Sequence, residues 1–311
     1  MKITTKTEPK AKIKVTSGTS FAYETPEHLP KLHQVCCLYS RRGTFKTTAI
    51  TNLLRMYMEG HAMERIIWVS NTAGSNKKLL KQLNIDEEDV FDPNEKGVVM
   101  KIRDIVEQER DEYVRYKQLR ENYKKVMKDI KHGMSPRTPL FDNYLVSYYD
   151  VRTNTFRMPE PKYKCYDKRP PIVACVFDDV LGSALLRDKM LLELTQKHRH
   201  EGSLPEGGAV GISLYYLVQS FKAVGGLNRS IRNQATTFLV GRTKDEQELK
   251  EVAEACAGEV SPEVFMAVYH EATKDSSHHF LFVDLHKKDH HPSMFRKNFD
   301  TYLIVEDGVK K

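Results

Sequence analysis

The sequence contains no long apolar run. Nowhere in its 311 residues does a stretch approach the ~20 consecutive apolar residues that a bilayer crossing requires. The first residues, MKITTKTEPKAKIK, are basic and are not followed by the apolar segment of a secretory signal. We therefore expect neither a stable membrane span nor Sec-type secretion.

Cysteine is also sparse. The five cysteines have no paired spacing of the kind that builds a disulfide framework, and three of them lie in apolar, strand-like runs where reduced thiols behave as small hydrophobes. The sequence therefore predicts a reducing compartment. The five are Cys36, Cys37, Cys165, Cys175 and Cys256.

Neither sign of charge dominates, and no internal repeat is visible. Lys and Arg total 49 against 42 Asp and Glu, which gives a formal charge of +7. This excess is compatible with a polyanionic partner but does not identify one. With 40% hydrophobic residues, the chain has the composition of an ordinary globular protein and not that of a disordered tail.

Strand-like apolar runs alternate with segments of helical periodicity. Continuous apolar runs are typical of strands buried on both faces, and intervening helices are typical of parallel connections. We predict an α/β fold, a mostly parallel sheet covered by helices on both sides. The strand-like runs are 34–40, 65–70, 172–177, 210–218, 236–240 and 280–285, and the helical segments are 47–59, 185–196 and 246–257.

We predict one core with an insertion. Residues 1–30 are rich in Lys, Thr and Pro and are predicted to form a flexible basic arm, and residues 31–311 form the core. A helical and loop insertion spans about residues 101–170. Apolar residues recur three or four apart through 101–131, which predicts one long amphipathic helix or a helical hairpin. Residues 132–171 lack periodicity and are interpreted as a long loop or lid.

Two charged segments have more than one interpretation. Residues 115–131 carry seven basic and two acidic side chains, which fits a solvated helix face or contact with a polyanion. Residues 278–291, HHFLFVDLHKKDHH, offer imidazole and carboxylate groups. Their spacing is looser than that of zinc motifs, so we interpret them as surface polarity and not as a metal site.

A polar loop joins the first strand to the first helix. Its sequence, Ser40-Arg41-Arg42-Gly43-Thr44-Phe45-Lys46-Thr47-Thr48, is similar to the phosphate-binding pattern G-x-x-x-x-G-K-[ST] and is predicted to bind nucleotide. Backbone N–H groups of such a turn and the helix N-terminus can surround phosphate oxygens. Lys46 would reach the β- and γ-phosphates, and the Thr47 hydroxyl would coordinate Mg²⁺.

The loop departs from the pattern at both glycines. Ser40 replaces the first and Phe45 the second. A bulky residue forced to positive φ costs on the order of 1–2 kcal/mol, and its side chain cannot approach phosphate as glycine does. We therefore expect a weakened or reshaped pocket, in which Arg41 and Arg42 offset lost backbone contacts by bidentate phosphate binding.

Polar residues end two later strands. Asp178 and Asp179 follow the run IVACVF, and we predict that Asp178 holds Mg²⁺ through water while Asp179 orients or deprotonates the attacking water. At the position of Asp179, ATPases with an added sheet strand commonly have a Glu, whose side chain is longer. Gln219 ends the run VGISLYYLVQ. It is predicted to contact the γ-phosphate or the water and to report hydrolysis, although an amide that caps a loop fits nearly as well.

In this order, the segments resemble the viral genome-packaging ATPases of the poxvirus and giant-virus type, which are related to the FtsK/HerA DNA translocases. The resemblance covers about Val35 to Asp300 and rests on SRRGTFKTT, VFDDV, His198-Arg199-His200, YYLVQSF, NRSIRNQATTFLV, and FVDL followed by FRKNFD. It implies a P-loop NTPase fold and a homo-oligomeric ring that binds ATP and Mg²⁺ and drives double-stranded DNA into a preformed capsid.

The resemblance also implies partners and a further catalytic group. Arg199 or Arg232 would insert into the neighbouring subunit's site, where such an arginine supplies charge as the phosphoryl group is transferred. Capsid or portal-vertex proteins would be partners, and the protein would act in the virion or at the viral assembly site of an infected cell.

Other functions remain open at the level of sequence. The loop also resembles that of some large terminases, but only about 70 residues follow the run TTFLV, too few for their nuclease domain. A DNA translocase outside packaging and a nucleotide-binding regulatory or structural protein with little hydrolysis are the alternatives. A small-molecule kinase is a third alternative, but the sequence shows no pattern of a site for a phosphate acceptor.

Overall fold

The computed structural model describes residues 23–41, 43, 45–72, 74, 77–131, 148–150, 152–153, 155–220, 227–243, 245–255 and 260–305. The strands are β1 (Val35–Tyr39), β2 (Arg65–Ser70), β3 (Val90–Phe91), β4 (Tyr149–Asp150), β5 (Thr155–Phe156), β6 (Val173–Asp178), β7 (Ile212–Val218), β8 (Thr237–Gly241), β9 (Phe280–Asp284), β10 (Phe295–Lys297) and β11 (Thr301–Tyr302).

Nine of these strands form one sheet, in the order β11-β10-β9-β8-β1-β7-β6-β2-β3. The six strands from β8 to β3 are parallel, and β9, β10 and β11 continue the sheet in antiparallel pairs. The predicted mostly parallel sheet is therefore confirmed. The order also places β7 between the strand that enters the phosphate loop and the strand that ends in the acidic pair.

Helices cover both faces of the sheet. They are α1 (Lys46–Glu59), α2 (Lys77–Gln82), α3 (Val98–Lys131), α4 (Lys189–Lys197), α5 (Arg229–Arg232), α6 (Glu246–Ala255) and α7 (Pro262–Thr273). No helix among the described residues is long and apolar enough to cross a membrane. The segment 101–131 forms one continuous helix and not a hairpin.

Strand β1 shows how the sheet is buried on both faces. Val35, Cys37 and Tyr39 belong to the core under α3, α4, α6 and α7, whereas Cys36 and Leu38 belong to the core under α1. Side chains of a strand alternate between faces, so a continuous apolar run is needed where both faces are covered. This is why the apolar runs in the sequence located the strands correctly.

The long helix of the insertion, α3, extends past one edge of the sheet. Helix α3 has 34 residues, about 51 Å of helix, whereas the seven residues of β7 span roughly 20 Å. Tyr113 and Tyr116 pack with Leu204, which precedes β7, so the second half of α3 extends past the edge where the parallel strands begin. The predicted loop or lid is only partly described, because 132–147 lie outside the described residues. Its described part contains the β4–β5 hairpin and a short 3₁₀ helix.

The predicted N-terminal arm is also only partly described. Residues 1–22 lie outside the described residues, but from Tyr23 onward the chain packs on the end of the sheet, and Leu29 is buried. The Lys288 ammonium donates to the carbonyls of Thr25 and Pro26 at 3.0 and 2.7 Å. These contacts with a segment about 260 residues away hold 23–30 to the core, which composition alone did not predict.

Two buried histidines make the fold sensitive to acid. His33 and His198 are 7% and 5% exposed, and their rings lie 2.7 Å from the Val210 carbonyl and 2.8 Å from the Thr195 carbonyl. Burial lowers the pKa of His33 to about 3 and that of His198 to about 4. An unfolded histidine takes up a proton near pH 6.5. The unfolded state therefore binds more protons as the pH falls below that value, and folding stability decreases.

We expect the free energy of unfolding to fall between pH 7 and pH 5, with each of these histidines contributing about 2 kcal/mol of the loss. Urea unfolding at the two pH values measures it. His198→Gln should remove roughly half of the histidine contribution, whereas His290→Gln, at an exposed ring, should leave the loss unchanged. Equal pH dependence in all three proteins would contradict the assignment.

Candidate nucleotide-binding site

The candidate site lies at one edge of the sheet. Strands β1, β2, β6 and β7 are parallel, so the residues that follow them meet at the same edge. In register, Ser70 at the end of β2 lies opposite Asp178 at the end of β6. The N–H of Ser40, just after β1, donates to the carbonyl of Val218 at the end of β7. The structure thus brings together the loop, the acidic pair and Gln219, which are far apart in sequence.

The phosphate loop closes around the Lys46 ammonium. Lys46 Nζ donates to the carbonyls of Ser40 and Arg41, both at 2.7 Å. Gly43 has a φ of +71°, so this loop uses its one glycine for the left-handed turn that other residues avoid. Arg41 is exposed. Arg42 and Thr44, both predicted to bind phosphate, lie outside the described residues.

A weakened or reshaped pocket stays a prediction, but the strain predicted at Phe45 is absent. Its φ is −88°, an ordinary helical value, so no positive-φ penalty arises. The ring is 4% exposed and stacks on Phe280 with centroids 4.5 Å apart. Gly241 makes room for it, since a Cβ there would lie 2.1 Å from the Phe45 ring and 2.4 Å from Ser40 Oγ. Phe45 thus anchors the loop to β8 and β9.

We expect Phe45→Gly to destabilise the fold and not to improve nucleotide binding. Deleting a buried Phe side chain costs about 3–5 kcal/mol of folding stability. Glycine at the start of α1 also loses more backbone entropy on folding than phenylalanine does. Urea unfolding and isothermal titration with ATP measure both effects, and Phe45→Leu is the control that keeps most of the apolar volume. Tighter ATP binding by a fully stable Phe45→Gly protein would show that the ring obstructs the phosphates.

The first acid of the pair is buried beside the lysine. Asp178 is 6% exposed. Burial and the neighbouring Asp179 raise the pKa of Asp178 to about 6, and Lys46 opposes this shift. Burial likewise lowers the pKa of Lys46, against the effect of the two carboxylates. Two carboxylates and one ammonium therefore share a partly dehydrated edge that would favour an additional cation.

The second acid is held by amides from two strands. Asp179 has a φ of +54°, and its Oδ1 accepts from Gln219 Nε2 at 2.8 Å. Its carbonyl accepts from Asn71 Nδ2 at 3.3 Å, and Asn94 Nδ2 in turn donates to Asn71 Oδ1 at 2.9 Å. The carboxylate is therefore fixed in direction at the mouth of the site, with Gln219 as its positioning partner.

Asn71 and Asn94 were missed in the sequence. The available signal was the polar segment NTAGSN directly after the run RIIWVS, since polar residues that follow a buried parallel strand reach the same edge as the acidic pair. Asn94 follows the two-residue strand β3, which is too short to show a pattern.

The residues present fit Mg²⁺. Thr47 supplies a hydroxyl that makes no hydrogen bond within the described part of the chain, and Asp178 supplies a carboxylate with a raised pKa. An oxygen-only donor set beside a phosphate-binding loop is what Mg²⁺ prefers, with the remaining positions filled by water and phosphate. Thr48, the residue after Thr47 on α1, is exposed.

The two candidate arginines lie away from the chain's own site. Arg199 is exposed and follows α4, and the carbonyl of the residue before it accepts from the N–H of Ile212, where β7 begins. Arg232 precedes β8, and its Nη1 lies 3.5 Å from Glu251 Oε2. Parallel strands begin at the edge opposite the site, so neither arginine serves it from within the same chain. Insertion into a neighbouring subunit stays a prediction.

The histidine-rich segment 278–291 packs on the N-terminal residues. His291 Nε2 lies 2.7 Å from the carbonyl of Glu27, and its Nδ1 lies 3.1 Å from the guanidinium of the buried Arg296. Within the described ranges, no group of three or more His, Cys, Asp or Glu side chains could hold a metal ion. The four described cysteines are free and buried, and Cys256 lies outside the described residues.

No protein-family model matches the sequence, and no curated protein matches it. Solved structures do match. The genome-packaging NTPase B204 of Sulfolobus turreted icosahedral virus 2, in complex with ATPγS, has 12% identity and a TM-score of 0.42 over 85% of this chain and 96% of its own. ATPases 2 and 3 of EssC from Geobacillus thermodenitrificans have 15% identity and a TM-score of 0.46 over 85% of this chain and 39% of their own.

The pCW3 conjugation coupling protein TcpA, with ATPγS, has 13% identity and a TM-score of 0.42 over 92% of this chain and 71% of its own. A genome-packaging NTPase is thus among the matching structures, as the sequence resemblance predicts.

Proposed function

We propose that this chain is an ATPase that translocates double-stranded DNA, and that it does so to package a viral genome into a preformed capsid. The observation that carries the proposal is the convergence of Lys46, Asp178, Asp179 and Gln219 at one edge of the sheet. Such a set combines a phosphate-binding cation with a metal-ligating acid and a second acid fixed in direction, which are the parts that phosphoryl transfer to water requires.

Lys46 would bind the phosphates of ATP in this site. In the free protein its ammonium bonds the carbonyls of Ser40 and Arg41, and the β- and γ-phosphates of ATP would replace them with stronger charge-assisted bonds. Bound Mg²⁺, held by Thr47 and Asp178, would neutralise phosphate charge.

Asp179 would orient the attacking water. Its carboxylate is partly exposed and accepts from Gln219 at Oδ1, which leaves Oδ2 to orient a water and to take its proton. Gln219 follows β7, the strand between β1 and β6. A change in its contacts when the γ-phosphate is lost would be transmitted to the residues that follow β7.

The second half of α3 is the proposed DNA contact. Arg115, Lys124, Lys125, Lys128 and Lys131 are exposed there, on a helix that extends past the sheet edge opposite the nucleotide site. A group of exposed cations binds phosphates without reading sequence, and its affinity falls as salt rises.

A homo-oligomeric ring is proposed because Arg199 and Arg232, the two candidate catalytic arginines, lie at the edge opposite the chain's own site. Arg199 is exposed there and would reach the site of the next subunit. Capsid or portal-vertex proteins would bind the ring at the viral assembly site.

Phosphate release measured with and without duplex DNA tests the proposal. We expect DNA to stimulate release, and we expect duplex affinity to fall steeply with salt. Changing Lys124, Lys125 and Lys128 to Gln should lower the slope of log affinity against log salt by up to ~3. The matched control changes Lys77, Lys78 and Lys81, three exposed lysines of α2, to Gln.

Three results would each contradict a part of the proposal. Absence of turnover under every condition would favour a nucleotide-binding regulatory protein. DNA movement that is equally fast with and without capsid shells would favour a translocase outside packaging. Equal effects of the two lysine sets would reject α3 as the contact surface.

A further inference from the structure

A groove of about 330 Å³ opens beside the phosphate loop, along α1. This volume lies at the lower end of the range of small-ligand sites. Its walls come from the start of α1 on one side and from β9 and the turn after β10 on the other. The residues that define it are Phe45, Thr48, Asn52, Phe280, Asn298 and Phe299.

The groove adjoins the proposed phosphate position. Phe45 precedes Lys46, and Thr48 follows Thr47 in the chain. Thr48 and Asn52 are four residues apart on α1, so they lie on the same face of the helix about 6 Å apart along its axis. A nucleotide whose phosphates occupy the loop would therefore extend its ribose and base along this wall.

The floor of the groove is aromatic. Phe45 stacks on Phe280 at 4.5 Å with an interplanar angle of 10°. Phe299 meets Phe280 at 5.0 Å with an angle of 68°, and its side chain is partly exposed. Phe45 and Phe280 are only 4% and 5% exposed, so Phe299 offers most of the surface on which a planar ring system can pack, and the contact grows with the area of that ring.

The polar groups in the groove are the amides of Asn52 and Asn298, the Thr48 hydroxyl and the His278 imidazole. Asn298 Oδ1 accepts from the N–H of Phe280 at 3.3 Å, which leaves its NH₂ group without a hydrogen bond among the described residues. Asn52 is exposed. No carboxylate is among the described residues that line the groove. An asparagine amide both donates and accepts, so these groups can pair with the edge of adenine or of guanine.

We infer that this groove binds the base of the nucleotide, that it selects purines over pyrimidines by aromatic contact, and that it accepts adenine and guanine nearly equally. The inference rests on the proposed nucleotide site and deepens it by naming the class of nucleotide. It gives Phe45 a second role, since the residue that replaces the loop glycine also forms part of the base site.

Isothermal titration with ATP, GTP, CTP and inorganic tripolyphosphate, each with Mg²⁺, tests the inference. Tripolyphosphate carries the phosphates without a base, so it reports on the phosphate loop alone. We expect ATP and GTP to bind within about threefold of each other, CTP to bind about tenfold more weakly, and tripolyphosphate to bind more weakly still.

A variant that fills the groove separates the two parts of the site. Asn52→Trp places a large side chain into the groove from an exposed helix position and removes no buried contact. It should weaken ATP and GTP at least tenfold and leave tripolyphosphate unchanged. Arg55→Trp, at another exposed position of α1 that does not line the groove, is the matched control and should change nothing.

The outcomes distinguish the two proposals. If ATP and tripolyphosphate bind alike and Asn52→Trp affects neither, the groove does not bind the base, although the phosphate site stands. A tenfold preference for ATP over GTP, or for CTP over either, would overturn the predicted selectivity. If neither ATP nor tripolyphosphate binds, the proposed nucleotide site itself is wrong.

Discussion

Lys46→Met is expected to lower ATP turnover by at least ~10³-fold, because it removes a preorganised positive charge from a site where charge develops on the transferred phosphoryl group. Lys46 is 8% exposed and lies near two carboxylates. An ammonium in such a partly dehydrated position acts on a phosphate much more strongly than one in bulk water. Phosphate release in a steady-state assay measures the loss.

The same substitution should leave folding stability nearly unchanged. Methionine fills a similar volume, and it removes a cation whose burial is unfavourable, as the lowered pKa of Lys46 shows. Against this gain, the carbonyls of Ser40 and Arg41 lose their shared donor, at a cost of about 1–3 kcal/mol for a buried carbonyl. We expect the two effects to offset each other within about 2 kcal/mol in urea unfolding.

Lys101→Met is the matched control for this prediction. Its ammonium pairs with Glu95 on the surface, and its side chain is 45% exposed, so a change in turnover is not expected. A Lys46→Met protein that is folded and still hydrolyses ATP at the wild-type rate would show that the loop does not hold the transferred phosphate.

The sequence was informative where burial imposes a pattern. β1, β6 and β7 are buried along their length, and β2 is buried except at Arg65, so each appears as a continuous apolar run. The strands β3, β10 and β11 have only two or three residues, and no periodicity exists over such lengths. They pair because the neighbouring strands provide an edge, which is a tertiary effect.

Helix α7 was missed although its signals are present. Ser261 accepts a hydrogen bond from the N–H of Val264 as N-cap, and Pro262 occupies the first turn. Phe265, Val268 and Ala272 then recur at helical spacing and are buried. A cap, a proline at the first position and an apolar stripe are together sufficient to predict a helix.

The sequence predicted those parts of the candidate site that follow from the ends of parallel strands. Residues at the ends of neighbouring parallel strands meet at one edge, so Asp178 and Gln219 could be placed beside the loop from their positions after apolar runs. The direction of the Phe45 side chain could not be predicted in this way. It depends on space above Gly241 and on the ring of Phe280, both roughly two hundred residues further along the chain.

Asp179→Asn is expected to lower kcat by about 10²–10⁴-fold, the range that a general base contributes, and to leave ATP affinity within about threefold. Asparagine has the same shape and tolerates the φ of +54° at this position. Its Oδ1 can still accept from Gln219, so the side chain keeps its direction and loses its capacity to take a proton. ATP titration and single-turnover hydrolysis separate binding from chemistry.

The control and the partner variant make this prediction specific. Asp167→Asn makes the same substitution at a similar backbone conformation, φ +49°, on an exposed residue, and should have no effect on hydrolysis. Gln219→Ala should lower kcat about tenfold, since a positioning residue acts through the group it holds, and the double variant should be no slower than Asp179→Asn alone. Multiplicative losses in the double variant would instead indicate that Gln219 contacts the phosphate or the water independently of Asp179.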